Sequence, residues 1–156
     1  MLKKIVIGVA ILFLALQAVP YGRDHSNPPV TGEPNWNSPE TRATFERACA
    51  DCHSHATRWP WYSHVAPVSW LIQKDVDHGR SEFNVSTYGA DPEVGKDAAE
   101  EVEKGKMPLP KYLRLHPEAK LTDEERVAFA RGLDATFRAG APKPGSDVGE
   151  KSGYYE

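Results

Sequence analysis

The two cysteines of the chain, Cys49 and Cys52, stand three residues apart and run directly into His53, so that residues 49–53 read CADCH. CxxCH is the attachment motif of a c-type haem, and it constrains the fold more than any other feature, because the rest of the chain has to wrap what the motif holds. Two thiols at this spacing occupy neighbouring positions of a helical turn and can add to the two vinyl groups on one edge of a porphyrin. The histidine that follows is delivered beneath the iron as an axial ligand. Covalent attachment suits a domain of about 100 residues, which is too small to enclose a haem completely.

The same residues admit three other readings. A CxxC disulfide-exchange motif precedes a helix in a βαβ context, whereas this one ends a helix in a chain with no evident strands. A zinc-binding module could draw on Cys49, Cys52, His53, His55 or His64, but a second ligand pair at regular CxxC or HxxxH spacing is missing. A structural disulfide at this spacing closes a very small ring and restrains the unfolded chain little. Haem attachment is the reading the residues favour.

A low-spin haem needs a second axial ligand. Met107 is the one methionine besides the initiator, and it sits in KMPLP, where residues before proline are pushed out of the helical region. A thioether displayed on such a stiff stretch can be aimed at iron. His64, His78 and His116 are the alternatives, with His116 and His64 ahead of His78; His55 is too close to His53 to reach the opposite face. Trp59, Trp61, Tyr62 and Trp70 are read as walls of the cofactor site that exclude water, and the Pro67 carbonyl as the acceptor for the His53 ring. Met/His ligation saturates iron and suits electron transfer. An open distal position would instead suit a haem-based sensor or a peroxidase-like protein.

The N-terminus places Lys3 and Lys4 ahead of an apolar run from Ile5 to Leu16, the pattern of a targeting or anchoring segment. Leu2 to Tyr21 approaches the ~20 residues that cross a bilayer, and the basic end should stay in the cytoplasm. The expected organisation is a membrane anchor or signal segment at 1–21, an extended Pro-rich linker at 22–37, one domain at 38–138 and a disordered tail at 139–156. Ser38, Pro39 and Glu40 announce a helix, on which Phe45, Ala48, Cys49 and Cys52 share a face. Further helices are predicted over Val68 to Arg80, from Asp91 to a stop at Gly105, and after a capping box at Thr122 and Glu125. With 13 prolines, 12 glycines and no β alternation, the fold class is all-α, in short elements. Lys and Arg total 19 against 22 Asp and Glu, interspersed, which gives no footprint for nucleic acid. No nucleotide-binding glycine loop or spaced acid/base pair argues for an enzyme.

CADCHSHATRWPWYSHVAPVSWLIQKDVDHGR followed by KMPLPKYLRLHPEAKLTDEER resembles the bacterial haem-binding domain family of membrane-anchored, monohaem cytochrome c-like proteins. The resemblance runs from the NPPV of Asn27–Val30 to the last helix. It implies a cytochrome c-like helical fold, a periplasmic location and one covalent haem c. Residue by residue, it implies attachment at Cys49 and Cys52, a proximal ligand at His53 and a distal ligand at Met107. The protein expected from the sequence is therefore an electron carrier that serves unidentified redox partner proteins from the outer side of the inner membrane.

Overall fold

A computed structural model describes residues 1–89 and 95–138. All regular elements among them are helical. They are α1 (Leu2–Gln17), α2 (Pro39–Ala48), α3 (Ala50–His53), α4 (Val68–Glu82), α5 (Ala98–Glu103), α6 (Pro110–Leu113) and α7 (Asp123–Phe137), with 3₁₀ turns at Trp61–His64, Val85–Thr87 and Pro117–Ala119. The fold class is all-α, in agreement with the sequence. The start signal at Asp91 and Pro92 and the tail at 139–156 lie outside the described residues.

Local sequence accounts for where the longer helices begin and end. The Ser38 hydroxyl accepts the Thr41 N–H at the head of α2, with Pro39 in the first turn. Thr122 and Glu125 close a reciprocal capping box on α7, with bonds of 3.1 and 2.8 Å. Gly105, just past α5, has φ +65°, the left-handed conformation that ends helices. The single helix predicted to run through both cysteines is interrupted: Cys49 leaves helical geometry at φ -131°, ψ -29°, and α3 restarts one residue later.

The core is aromatic. Phe45 from α2, Phe83 after α4, and Phe129, Leu133 and Phe137 from α7 bury together with Val102 of α5. Phe83 meets Phe137 edge to face at 5.0 Å and Phe45 at 5.9 Å, the geometry that ring quadrupoles favour. α5 packs on α7, and α4 on α3. Gly132 and Gly79 permit close approach of their helices to neighbouring segments. A Cβ on Gly132 of α7 would stand 2.1 Å from the Thr41 hydroxyl oxygen of α2, and one on Gly79 of α4 would stand 2.5 Å from the Cys52 carbonyl oxygen.

Two expectations about the N-terminal region change. α1 stops at Gln17 instead of continuing to Tyr21, a length of about 24 Å at 1.5 Å per residue against a hydrocarbon core of ~30 Å. No helix among the described residues is long and apolar enough to cross a membrane. The 22–37 segment is non-helical but is no free tether. Asn27 Nδ2 donates to the Thr57 carbonyl at 3.0 Å, the Thr31 and Gly32 N–H groups donate to the Ser86 carbonyl, and Asn37 N–H donates to Thr136 Oγ1. Trp36 then packs its ring 5.0 Å from that of Phe45. Polar backbone that would otherwise lie bare across the domain finds partners at each of these points.

Candidate functional site

A cavity of about 620 Å³ opens among α2, α3, α4, α5 and α6. Cys49, Cys52, His53 and Met107 all line it, although Met107 is separated from the other three by more than 50 residues of sequence. Apolar surface dominates the remaining wall, supplied by Phe45, Phe83, Val102, Leu109 and Leu133. Such a size and lining fit a cofactor pocket, in which apolar walls exclude water and a few polar groups set orientation.

The end of α4 orients His53. Phe83 adopts an extended conformation there, and its carbonyl accepts the His53 Nδ1–H at 2.9 Å. A carbonyl only accepts, so the proton of the neutral ring is on Nδ1 and the lone pair is on Nε2, the arrangement a metal ligand requires. Burial lowers the His53 pKa, with the Phe83 carbonyl opposing in part, which keeps the imidazole neutral. The bond to Phe83 replaces the one expected to Pro67.

Burial governs the two thiols as well. Both are free; Cys49 is pushed up to about 12, chiefly by burial and then by Cys52, and Cys52 to about 11 by burial and then by Asp75 and Asp51. Exchange-active cysteines have depressed pKa values in electropositive surroundings, so this environment argues against disulfide-exchange chemistry. Among the described residues, no group of three or more His, Cys, Asp or Glu could hold a metal ion, so the zinc-binding module finds no site there.

Met107 leaves the end of α5 with its N–H bonded to the Glu101 carbonyl at 3.1 Å, and its side chain packs against the core cluster. Leu109 follows at φ -57°, ψ 133°, and Pro110 opens α6. The extended reading of KMPLP therefore applies only as far as Leu109.

The other expected ligands lie elsewhere. His116 stacks on Tyr112 at 4.0 Å outside the cavity, and His64 meets the edge of His25 at 4.3 Å, while His25 stacks on Trp59 at 4.5 Å. Only His78, of the three alternatives, reaches the lining, from an exposed position. His55 serves the fold: its Nδ1–H donates to the Pro29 carbonyl at 2.8 Å and its Nε2 accepts from Asn84 Nδ2 at 2.8 Å.

Trp59, Trp61, Tyr62 and Trp70 do not line the cavity, and Trp61 is 78% exposed. This corrects the expected walls. After His53, the Ser54 and Thr57 hydroxyls bond the carbonyls of Ala50 and Asp51, a turn that carries residues 58–62 away from the cysteine pair. Phe45, Phe83 and Tyr112 provide the aromatic wall instead.

Sequence reasoning also missed Asp51, between the two cysteines, and Tyr112. Asp51 is only 7% exposed; its carboxylate accepts Arg58 N–H at 3.0 Å, Arg58 Nε at 3.1 Å, Arg58 Nη2 at 3.2 Å and the Tyr112 hydroxyl at 2.7 Å. The Asp-x₆-Arg spacing alone carries no recognisable signal for this pairing. Burial, and then the Asp51 carboxylate, raise the Tyr112 pKa far above its ordinary value, so the hydroxyl remains a donor.

The residues fit a haem: two thiols, an imidazole with its Nε2 lone pair available and a thioether line one pocket with apolar walls. A family profile described as a haem-binding domain matches residues 11–135. No curated protein and no solved structure matches the chain.

Proposed function

The chain belongs to the haem-binding domain family, and from that premise we propose that it is a c-type monohaem cytochrome that carries single electrons and catalyses no reaction of its own. The observation that carries the reading is the placement of Cys49, Cys52, His53 and Met107 on one apolar cavity. Haem supplies a one-electron Fe(III)/Fe(II) couple when bound.

The chain's own residues have separable tasks. Cys49 and Cys52 would hold the porphyrin by thioether bonds, each S–H adding across a vinyl group without a leaving group. His53, its ring fixed by the Phe83 carbonyl, would hold the iron through Nε2. Met107 would hold the iron through its thioether sulfur, which would raise the potential and leave no open position for a substrate. Phe45, Phe83, Val102 and Leu133, which line the cavity, would keep water from a bound iron and so reduce the solvent reorganisation that accompanies a change of charge.

Location belongs to the same proposal. Lys3 and Lys4, followed by the exposed apolar side chains of α1, support export to the periplasmic side of the bacterial inner membrane, with α1 as the membrane-directed segment. Redox proteins on that side are the expected partners.

Optical spectra of the exported protein test the reading. Haem that stays with the denatured polypeptide, and is released from a Cys49→Ser/Cys52→Ser variant, supports covalent attachment. A ferric low-spin spectrum with a weak far-red charge-transfer band, lost in Met107→Ala, supports the axial pair. A wild-type high-spin spectrum that shifts on adding carbon monoxide or cyanide would overturn the electron-carrier reading in favour of a sensor or peroxidase-like protein.

A further inference from the structure

We infer that the hydrogen bond from Tyr112 of α6 to Asp51 of α3 is a latch that holds the Met107 segment against the cysteine–histidine segment and so keeps the sixth ligand in place. The inference rests on Met107 ligation as proposed above.

Two segments far apart in sequence have to converge for Met107 to face His53. The first, residues 49–53, is anchored independently: Arg58 grips the Asp51 carboxylate by its backbone N–H, Nε and Nη2, and Thr57 Oγ1 donates to the Asp51 carbonyl at 2.7 Å. The second segment leaves α5 at Met107 and turns into α6, whose Tyr112 hydroxyl reaches Asp51 Oδ2 at 2.7 Å. Tyr112 lies five residues beyond Met107 across a stretch stiffened by Pro108 and Pro110, so a constraint on its ring is passed to the thioether with little slack.

Other ties on this segment act differently. The Met107 N–H bond to the Glu101 carbonyl connects it to α5 alone. Lys111 reaches Asp75 of α4 at 2.7 Å, but with 60% of the lysine side chain exposed the pair contributes little. The Tyr112 bond is charge-assisted, made to a buried carboxylate, and both of its residues line the cavity. Stacking of the Tyr112 ring on His116 at 4.0 Å does not involve the hydroxyl, so Tyr112→Phe removes the bond and leaves the packing. Tyr112 is a positioning residue: it acts on the iron only through Met107.

The test uses the full-length ferric holoprotein with imidazole as the competing ligand, and compares wild type, Tyr112→Phe, Asp51→Asn and the double variant. Imidazole binds only when Met107 has withdrawn, so its apparent affinity reports the open fraction. Loss of a charge-assisted bond should raise that affinity in Tyr112→Phe by about tenfold or more. Asp51→Asn, which also loses the Arg58 Nη2 bond to Oδ2, should raise it at least as much, and the double variant should exceed Asp51→Asn only slightly, because the Tyr112 bond is already gone there. Should Tyr112→Phe fail to fold, Asp51→Asn alone decides, by an increase or none.

A purely structural tyrosine would lower the thermal midpoint and leave imidazole binding within about twofold of wild type, which would overturn the latch. Met107→Ala separates the two failures. If its spectrum matches wild type, the ligation reading falls and the latch with it; if its spectrum changes but Tyr112→Phe binds imidazole as wild type does, the latch alone is wrong.

Discussion

Replacing Gly79 with alanine sets two opposing effects against each other. Gly79 is in the last turn of α4, where helix propensity alone favours alanine by about 1 kcal/mol. The added Cβ, however, would lie 2.5 Å from the Cys52 carbonyl oxygen, 2.9 Å from its Cβ and 3.1 Å from its carbonyl carbon. The first two approaches are closer than side-chain carbons tolerate, and two of the three atoms are backbone, which cannot rotate away. Relief requires α4 to move off α3, and overpacking of this kind costs about 1–3 kcal/mol. With backbone in the way the upper part of that range applies, leaving a net loss of about 1–2 kcal/mol after the propensity gain. For a domain of this size that is a fall of about 5–10 °C in Tm. Thermal unfolding followed by far-ultraviolet circular dichroism measures it. Gly8→Ala serves as the control, since a Cβ there meets nothing within 4 Å and the substitution should be neutral or stabilising. If Gly79→Ala matches or exceeds wild-type stability, the close approach of α4 to the cysteine segment is wrong.

Truncating Phe137, which is fully buried and contacts the rings of Trp36, Phe83 and Tyr88, should cost about 3–5 kcal/mol in Phe137→Ala, read from urea unfolding. Acid sensitivity should change in Glu125→Gln. The Thr122 N–H, then the Arg47 guanidinium, hold the Glu125 pKa below its ordinary value, so its contribution is complete above that value and is lost as pH falls through the lower folded one. A titration of Tm between pH 3 and 6 should therefore show a shallower acid limb in the variant; an unchanged limb would remove Glu125 from the account.

Helix starts were the most legible part of the fold, because caps are local: Ser38–Pro39 and Thr122–Glu125 set their helices from residues within one turn. The break at Cys49 was not legible, since the spacing of Phe45, Ala48, Cys49 and Cys52 suits an unbroken helix equally well. In the site, the CxxCH spacing and the one internal methionine pointed to Cys49, Cys52, His53 and Met107, and these four line one cavity. The walls were not legible. Trp59, Trp61 and Tyr62 are near the motif in sequence, but the Ser54–Thr57 turn directs them elsewhere. Phe83 enters from the end of α4 and Tyr112 from α6 through tertiary packing, which no local pattern records.

The Gln17 side chain closes a two-way bond with Ala66, donating to its carbonyl at 2.9 Å and accepting its N–H at 3.0 Å. Residues 22–37, fastened along the domain, leave no slack behind that junction. A loose strand of this length could swing its cargo through roughly 50 Å; this one gives the domain no leash. If α1 is held at a membrane as proposed, that surface would also set the compass bearing of the cavity mouth, and only partners standing in that direction would meet it.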